Sequence, residues 1–247
     1  MIKTKPSLGE SFRYLVINQI KNFWGYGNLN SSMWFVGMEE GYSQKKEDLA
    51  HRFEMTSKTQ VLDVYDDLRA IDPGHVFSFE KNAPTQPTYR KLIYIYLYFK
   101  NKKEPSLEDI RHFQITELGR KKSDHAILEL MPLPSKSIHD KDWLYADVPV
   151  KGLSSRKDYL ETYKPERVIA LSELIKKHKP KIVLFYSFTY FKEWGEVAGM
   201  ELKQIVPKRL YVAKDNDTLY IAVPHSTSRG VSNKEWKVIA ERILSFV

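Results

Sequence analysis

Short apolar runs alternate with segments of helical periodicity along this chain. Runs at residues 33–38, 125–131 and 181–186 are too short for helices and predict strands. Residues 209–213 and Leu219–Val223 alternate in polarity around a polar turn, which predicts a hairpin. Strands separated by helices indicate an α/β fold. We predict a three-layer α/β/α sandwich with a mostly parallel central sheet of about four to five strands.

The helical segments between these strands have recognisable boundaries. Two capping boxes, Ser7 with Glu10 and Ser232 with Glu235, predict the start of the first and last helices, and the first helix is expected to end near Gly25. The other predicted helices cover residues 43–71 with a break near Thr56 and Ser57, 88–100 with Pro87 at the first position, 107–118 before Gly119, 158–163, and 165–178. Residues 72–74 predict a turn, and 135–155 predict a long loop.

Length and composition restrict the class of protein. The 247 residues, 42% of them hydrophobic, suit one domain that spans residues 1–247. The net charge of +8 favours phosphate-bearing partners, either a nucleic acid, DNA in particular, or a nucleotide. Because the chain has no cysteine, disulfides, zinc–thiolate sites and iron–sulfur clusters are excluded. No apolar run is long enough to span a membrane and the first residues do not resemble a signal peptide, so we expect a cytoplasmic protein, with a monomer favoured.

The common nucleotide, dinucleotide, zinc-protease and serine-hydrolase motifs are missing from the sequence. We therefore expect no cofactor and no metal. Polar or ionisable residues instead follow or end several predicted strands, and the carboxyl ends of parallel strands meet at one edge of a sheet, where ligands bind. These residues are Glu39 and Glu40, Glu129, Tyr186 with Ser187, and His225.

Each carboxylate also has an alternative interpretation. Glu39 and Glu40 could simply face the positive end of the following helix, where a carboxylate is stabilised. Glu129 interrupts an otherwise apolar strand, which is costly unless the carboxylate is paired or reaches a cleft. An edge strand with one wet face or a buried salt bridge would explain Glu129 without a function.

Three segments resemble motifs of the uracil-DNA glycosylase superfamily, in the order in which they occur there. Residues 37–41 (Gly-Met-Glu-Glu-Gly) resemble its first motif, Gly-x-Asn-Pro-Gly or Gly-x-Asp-Pro-Tyr. Residues 129–133 (Glu-Leu-Met-Pro-Leu) resemble the Asn-x-x-Pro-Leu of the single-strand-selective branch. Residues 224–229 (Pro-His-Ser-Thr-Ser-Arg) resemble the His-Pro-Ser-Pro-Arg loop, and 233–236 (Asn-Lys-Glu-Trp) also resemble that branch.

The resemblance implies a uracil-DNA glycosylase-like fold and roles for individual residues. Glu39 would position or activate the water, and His225 would stabilise charge that develops on the base, which makes these two the catalytic candidates. Glu129 would read the edge of the base, and Arg229 would fill the gap left by a flipped nucleotide. The implied substrate-binding residues are Gly37, Met38, Glu40, Tyr42, Glu129, Ser226, Ser228 and Arg229.

The chain departs from the superfamily at the residue that would read the base. An asparagine both donates and accepts hydrogen bonds, whereas an ionised Glu129 only accepts and would repel O4 of uracil. We therefore predict a base N-glycosylase for which uracil is a poor substrate and a base with a donor edge, such as guanine, a better one. The alternatives are a nucleoside or nucleotide hydrolase, a non-catalytic nucleic-acid or nucleotide-binding module of this fold, and an α/β protein whose rim carboxylates only cap helices.

Overall fold

The computed structural model describes residues 8–41, 46–71, 79–137 and 139–246. Within them the chain forms eight α-helices and one mixed sheet of eight strands. The helices are α1 (Leu8–Asn22), α2 (Lys46–Thr56), α3 (Val64–Ile71), α4 (Pro87–Asn101), α5 (Leu107–Thr116), α6 (Arg156–His178), α7 (Phe191–Ala198) and α8 (Asn233–Leu244). The strands are β1 (Gly25–Gly27), β2 (Met33–Gly37), β3 (Val61–Leu62), β4 (His125–Glu129), β5 (Ile182–Tyr186), β6 (Lys203–Val206), β7 (Leu210–Lys214) and β8 (Leu219–Val223).

The centre of the sheet is parallel. The strand order is β3-β1-β4-β2-β5-β8-β7-β6, and the four neighbours β4, β2, β5 and β8 all run in the same direction. These four strands are almost continuously apolar, as expected where helices cover both faces of a sheet. The predicted parallel pairing of the first two apolar runs is confirmed, with Met33 opposite His125 and Gly37 opposite Glu129.

Alternate residues of the central strands pack into different cores. Trp34 and Val36 of β2 belong to a core with side chains of α1, α2, α6 and α7. Met33 and Phe35 of the same strand belong to a second core with α4, α5 and α8. Because successive side chains of a strand point to opposite faces, the two cores lie on opposite sides of the sheet. Helices therefore cover both faces, in the layered arrangement that the sequence pattern predicts.

The predicted number of strands is wrong, because four to five strands were expected and the sheet has eight. β1 and β3 have only three and two residues, too few to show a period-2 pattern. In β1, Gly25 and Gly27 have positive φ and lie so close to the backbone of β4 that a Cβ at either position would overlap a carbonyl oxygen. β6, with the sequence Lys-Gln-Ile-Val, is largely exposed and does not alternate between polar and apolar residues.

Helix boundaries agree with the sequence in most places. Pro87 begins α4, α2 ends at Thr56 as the expected break requires, and the capping box of Ser232 and Glu235 is formed. The predicted split between residues 158–163 and 165–178 is wrong, since α6 continues through Pro165. A proline removes one backbone donor, and packing of Tyr159, Val168 and Leu171 on the sheet offsets that loss.

Some predictions fall outside the described residues. These are Ser7 of the first capping box, the turn at residues 72–74, and Tyr42 with the rest of 42–45. The segment 135–155 has one short 3-10 helix, Asp140–Asp142, and places Trp143 and Tyr145 in the core. No helix in the described part of the chain combines the length and apolar character needed to span a bilayer.

Candidate functional site

The chain segments that leave β2 and β4 remain side by side beyond the sheet. The backbone N–H of Leu130 donates to the carbonyl of Gly37 at 2.9 Å, and that of Met131 donates to Met38 at 2.6 Å. Further on, Ser135 donates to the carbonyl of Glu40 at 3.0 Å. These bonds extend the β2–β4 pairing past the carboxyl edge of the sheet. They hold the two segments that resemble glycosylase motifs next to each other.

A cavity of about 500 Å³ lies at this edge. Side chains that follow or end all four parallel strands line it: Glu39 and Glu40 after β2, Glu129 at the end of β4, Tyr186 at the end of β5, and His225 after β8. The volume lies within the range of small-molecule sites in proteins. The structure thus brings together five of the residues that sequence reasoning selected.

Glu40 is fixed by a buried network that the sequence did not reveal. Arg52 of α2 donates from Nη2 to Glu40 Oε2 at 2.6 Å and to Asp67 Oδ2 of α3 at 2.8 Å. The hydroxyl of Tyr26 donates to Asp67 Oδ2 at 2.5 Å and also contacts Arg52. Arg52 and Asp67 are almost completely buried. One arginine here serves two carboxylates, so the network carries a net negative charge.

Glu39 is paired with a different arginine. Arg156, at the start of α6, lies 2.6 Å from Glu39 Oε1 through Nη2, and its Nε donates to the same carboxylate at 2.9 Å. The two-pronged contact fixes the orientation of the carboxylate. Burial raises the pKa of Glu39, and the hydrogen bonds and charge of Arg156 oppose that rise. Arg156 also donates to the hydroxyl of Tyr190 at 3.2 Å.

The carboxyl group of Glu129 has no cationic partner among the described residues, since Arg167 donates to the backbone carbonyl of Glu129 at 3.2 Å and not to its side chain. Its Oε1 accepts a hydrogen bond from the Tyr186 hydroxyl at 2.8 Å, while its Oε2 is buried without a partner in the described part of the chain. Gly37 makes this pair possible, because a Cβ there would overlap both Glu129 Oε2 and the Tyr186 hydroxyl. Burial first, and then the charges of Glu40 and Glu39, raise the pKa of Glu129 to about 8, although Tyr186 opposes the rise. Glu129 is therefore protonated at neutral pH.

His225 is neutral at the same pH. Burial lowers its pKa. Its Nδ1 lies 3.3 Å from the backbone nitrogen of Thr227, which can only donate, and 2.9 Å from the hydroxyl of that residue. Nδ1 is thus an acceptor, and the ring proton is on Nε2. A neutral imidazole whose Nε2 carries the proton can donate a hydrogen bond to a ligand oxygen without adding charge to the cavity.

The remaining predicted residues take other positions. Met38 packs in the core, and its side chain does not line the cavity. Ser226 is buried outside the lining, while Ser228 and Arg229 are exposed on the loop after His225. Gly37 lies beneath the Glu129–Tyr186 pair. Tyr42 belongs to the residues that the structure does not describe.

Sequence reasoning missed several residues that control the charge of the site. Arg52, Asp67 and Arg156 have no motif around them; Arg52 lies 12 residues from Glu40, and Arg156 lies 117 residues from Glu39. Tyr89 also lines the cavity, where burial and the charges of Glu40 and Glu129 raise its pKa. The proline at the first position of α4, two residues before Tyr89, marks where this helix starts but does not indicate that the start lies near the cavity.

No group of three or more His, Asp or Glu side chains in the described residues is arranged to hold a metal ion. Searches against protein-family models and curated proteins found no match to this chain.

Proposed function

We propose that this protein is a uracil-DNA glycosylase-like enzyme that hydrolyses the N-glycosidic bond of a base flipped out of a nucleic acid, with DNA as the favoured substrate. The observation that carries the proposal is the meeting of Glu39, Glu129, Tyr186 and His225 at one cavity on the carboxyl edge of four parallel strands. Enzymes that act on a base must take it out of the stack and enclose it in such a pocket.

In the proposed reaction, Glu39 positions the attacking water. Its carboxylate accepts a hydrogen bond from the water, and its negative charge stabilises the oxocarbenium-like sugar that forms as the bond to the base breaks. Arg156 keeps the carboxylate in one orientation through contacts of 2.6 and 2.9 Å. His225 donates from Nε2 to an oxygen of the base, and Glu129 contacts the base edge.

The protonation of Glu129 changes the argument about specificity. The expectation that uracil is a poor substrate assumes an ionised, acceptor-only Glu129. With a pKa of about 8, Glu129 keeps its proton at pH 7, and a neutral carboxyl both donates and accepts. The repulsion of a base oxygen therefore operates only above that pH. Below it, discrimination between bases depends on the other groups of the cavity.

The test is release of free base from a panel of single- and double-stranded oligonucleotides that contain damaged or deaminated bases, measured by chromatography. We expect release of at least one base, and a loss of about 100-fold or more in Glu39→Gln, which keeps the shape of the side chain but removes its charge. Glu161→Gln on the exposed face of α6 is the matched control, because this glutamate makes only a 3.7 Å surface pair with Lys157.

Three results separate this proposal from its alternatives. Release from free nucleosides but not from oligonucleotides would indicate a nucleoside hydrolase. Salt-dependent binding of oligonucleotides without release of any base would indicate a binding module. Equal activity in the native protein and in Glu39→Gln would show that Glu39 takes no part in the reaction.

A further inference from the structure

The cavity has an excess of acidic groups. Three carboxyl side chains line it, and Lys136, which is exposed, is the one lysine or arginine in the described part of the lining. Arg52 and Arg156 bind Glu40 and Glu39 but are not themselves part of that lining. A ligand in the cavity therefore meets carboxylate oxygens, while the compensating charges lie behind them.

Aromatic rings form much of the remaining wall. Tyr26, Phe79, Tyr89 and Tyr186 all line the cavity. The face of an aromatic ring carries a negative quadrupole and attracts cations, more strongly where water is excluded. Carboxylates and aromatic rings together suit a flat ligand with a positive charge, and they repel a phosphate.

We infer that the cavity is built for a base that carries a positive charge, namely a ring-N-alkylated purine or pyrimidine, in preference to a neutral base. The inference rests on the proposed base-excision function and specifies its substrate class. It draws on the three carboxyl side chains, the four aromatic rings and the buried Oε2 of Glu129 that has no partner among the described residues.

The change in the charge of the base during bond cleavage also favours a cationic base. When the C1′–N bond of a neutral base breaks, the electron pair goes to the base, which leaves as an anion among carboxylates. When the base is a cation, the same electron pair neutralises it and the base leaves uncharged. Water adds to C1′, and its proton passes through Glu39 to solvent. The negative cavity therefore stabilises the oxocarbenium-like sugar without opposing the leaving group.

The preference for a cationic base can be measured through the protonation of Glu129. The titratable side chains that face it are Glu39 and Glu40 from the segment after β2, Tyr186 from β5 and Tyr89 from α4. None of these supplies a positive charge. A bound cation would supply one, so Glu129 would release its proton as the cation binds. A neutral base supplies no positive charge, so Glu129 would keep its proton when such a base binds.

The binding test uses two nucleosides of nearly the same shape. 3-Methylcytidine is a cation at pH 7, and 3-methyluridine is its neutral counterpart. By calorimetry we expect the cation to bind at least about ten-fold more tightly. Its enthalpy should differ between phosphate and Tris buffers by the amount expected for release of up to about one proton. Glu129→Gln should abolish the proton release and most of the preference, while Glu161→Gln should change neither.

The excision test compares oligonucleotides that contain 7-methylguanine or uracil, each rate being divided by its spontaneous rate without protein. Greater acceleration for 7-methylguanine, lost in Glu39→Gln, supports the inference. Excision of uracil with equal binding of the two nucleosides would overturn the inference and leave the proposed function intact. Cation-selective binding without release of either base would overturn the proposed function, while the preference of the cavity for a positive charge would still be supported.

Discussion

The two walls of the cavity contain the same type of side chain in opposite electrostatic settings. On the wall after β2, Glu40 and Glu39 each lie 2.6 Å from a buried arginine nitrogen. On the wall formed by β4, the carboxyl group of Glu129 accepts a hydrogen bond from the neutral Tyr186 hydroxyl and has no cation beside it among the described residues. The first wall holds carboxyl groups that arginines keep in fixed orientations. The second holds a carboxyl group that keeps its proton at neutral pH.

The difference shows that counting carboxylates does not give the charge of a site. Glu39, Glu40 and Glu129 follow or end neighbouring strands, and the charges of Glu40 and Glu39 help to raise the pKa of Glu129. They differ in the side chain that contacts each carboxyl group, which is Arg156 for Glu39, Arg52 for Glu40 and Tyr186 for Glu129. An arginine beside a buried carboxyl group favours its charged form, whereas burial without a cation favours the protonated form. Three experiments test whether the carboxyl groups with an arginine partner differ in this way from Glu129.

The largest effect should come from removing the cation behind Glu40. Arg52→Met preserves much of the side-chain volume but leaves the fully buried Asp67 without its arginine. Loss of one partner from a buried ion pair costs about 3–5 kcal/mol. We expect that decrease in the free energy of unfolding, measured with urea. Arg111→Met is the control, since Arg111 pairs at the surface with Glu108 and should change stability by less than about 1 kcal/mol. Similar small losses in both variants would show that the network is not important for stability.

The next effect concerns pH. The folded-state pKa of Glu129, about 8, lies above the ordinary value of 4.5, so the folded protein binds a proton that the unfolded chain has lost. The stability contributed by protonated Glu129 is complete below pH 4.5 and is lost as pH rises to about 8. Each unit of pKa difference corresponds to about 1.4 kcal/mol, so the loss should amount to a few kcal/mol.

Glu129→Gln should remove this part of the pH dependence, because glutamine resembles the protonated carboxyl and does not titrate. The measurement is urea unfolding of the native protein and the variant at several pH values between 5 and 9. If the difference in stability between the two proteins stayed constant across that range, Glu129 would not have a raised pKa.

The smallest effect should come from the hydroxyl that Glu129 contacts. Tyr186→Phe removes the 2.8 Å hydrogen bond and should cost about 1 kcal/mol. Because that bond favours the ionised form, its loss should raise the pKa of Glu129 further and move the decrease in stability to higher pH. Carboxyl ¹³C NMR titration of Glu129 would follow the pKa directly. A pKa that falls in Tyr186→Phe would contradict this account of the pair.

The pattern of apolar and polar residues along the chain was sufficient to predict the strands of the central sheet and most of the helices. β2, β4 and β5 are short apolar runs with polar boundaries, and β8 follows the polar turn of the predicted hairpin, so all four can be recognised without knowledge of their neighbours in the sheet. The short strands β1 and β3 could not be recognised, because two or three residues carry no periodicity and their pairing depends on β4 and on each other.

The same division applies to the site. That Glu39, Glu40, Glu129 and His225 meet follows from local pattern alone, because parallel strands place their carboxyl ends at one edge. The electrostatic setting of each carboxyl group depends on side chains from other elements: Arg52 and Asp67 on α2 and α3, Arg156 at 117 residues from Glu39, and the hydroxyl of Tyr186. Protonation depends on burial and on the few nearest atoms. Folding brings those atoms together from distant parts of the chain, so no local motif could have distinguished Glu129 from the carboxylates beside it.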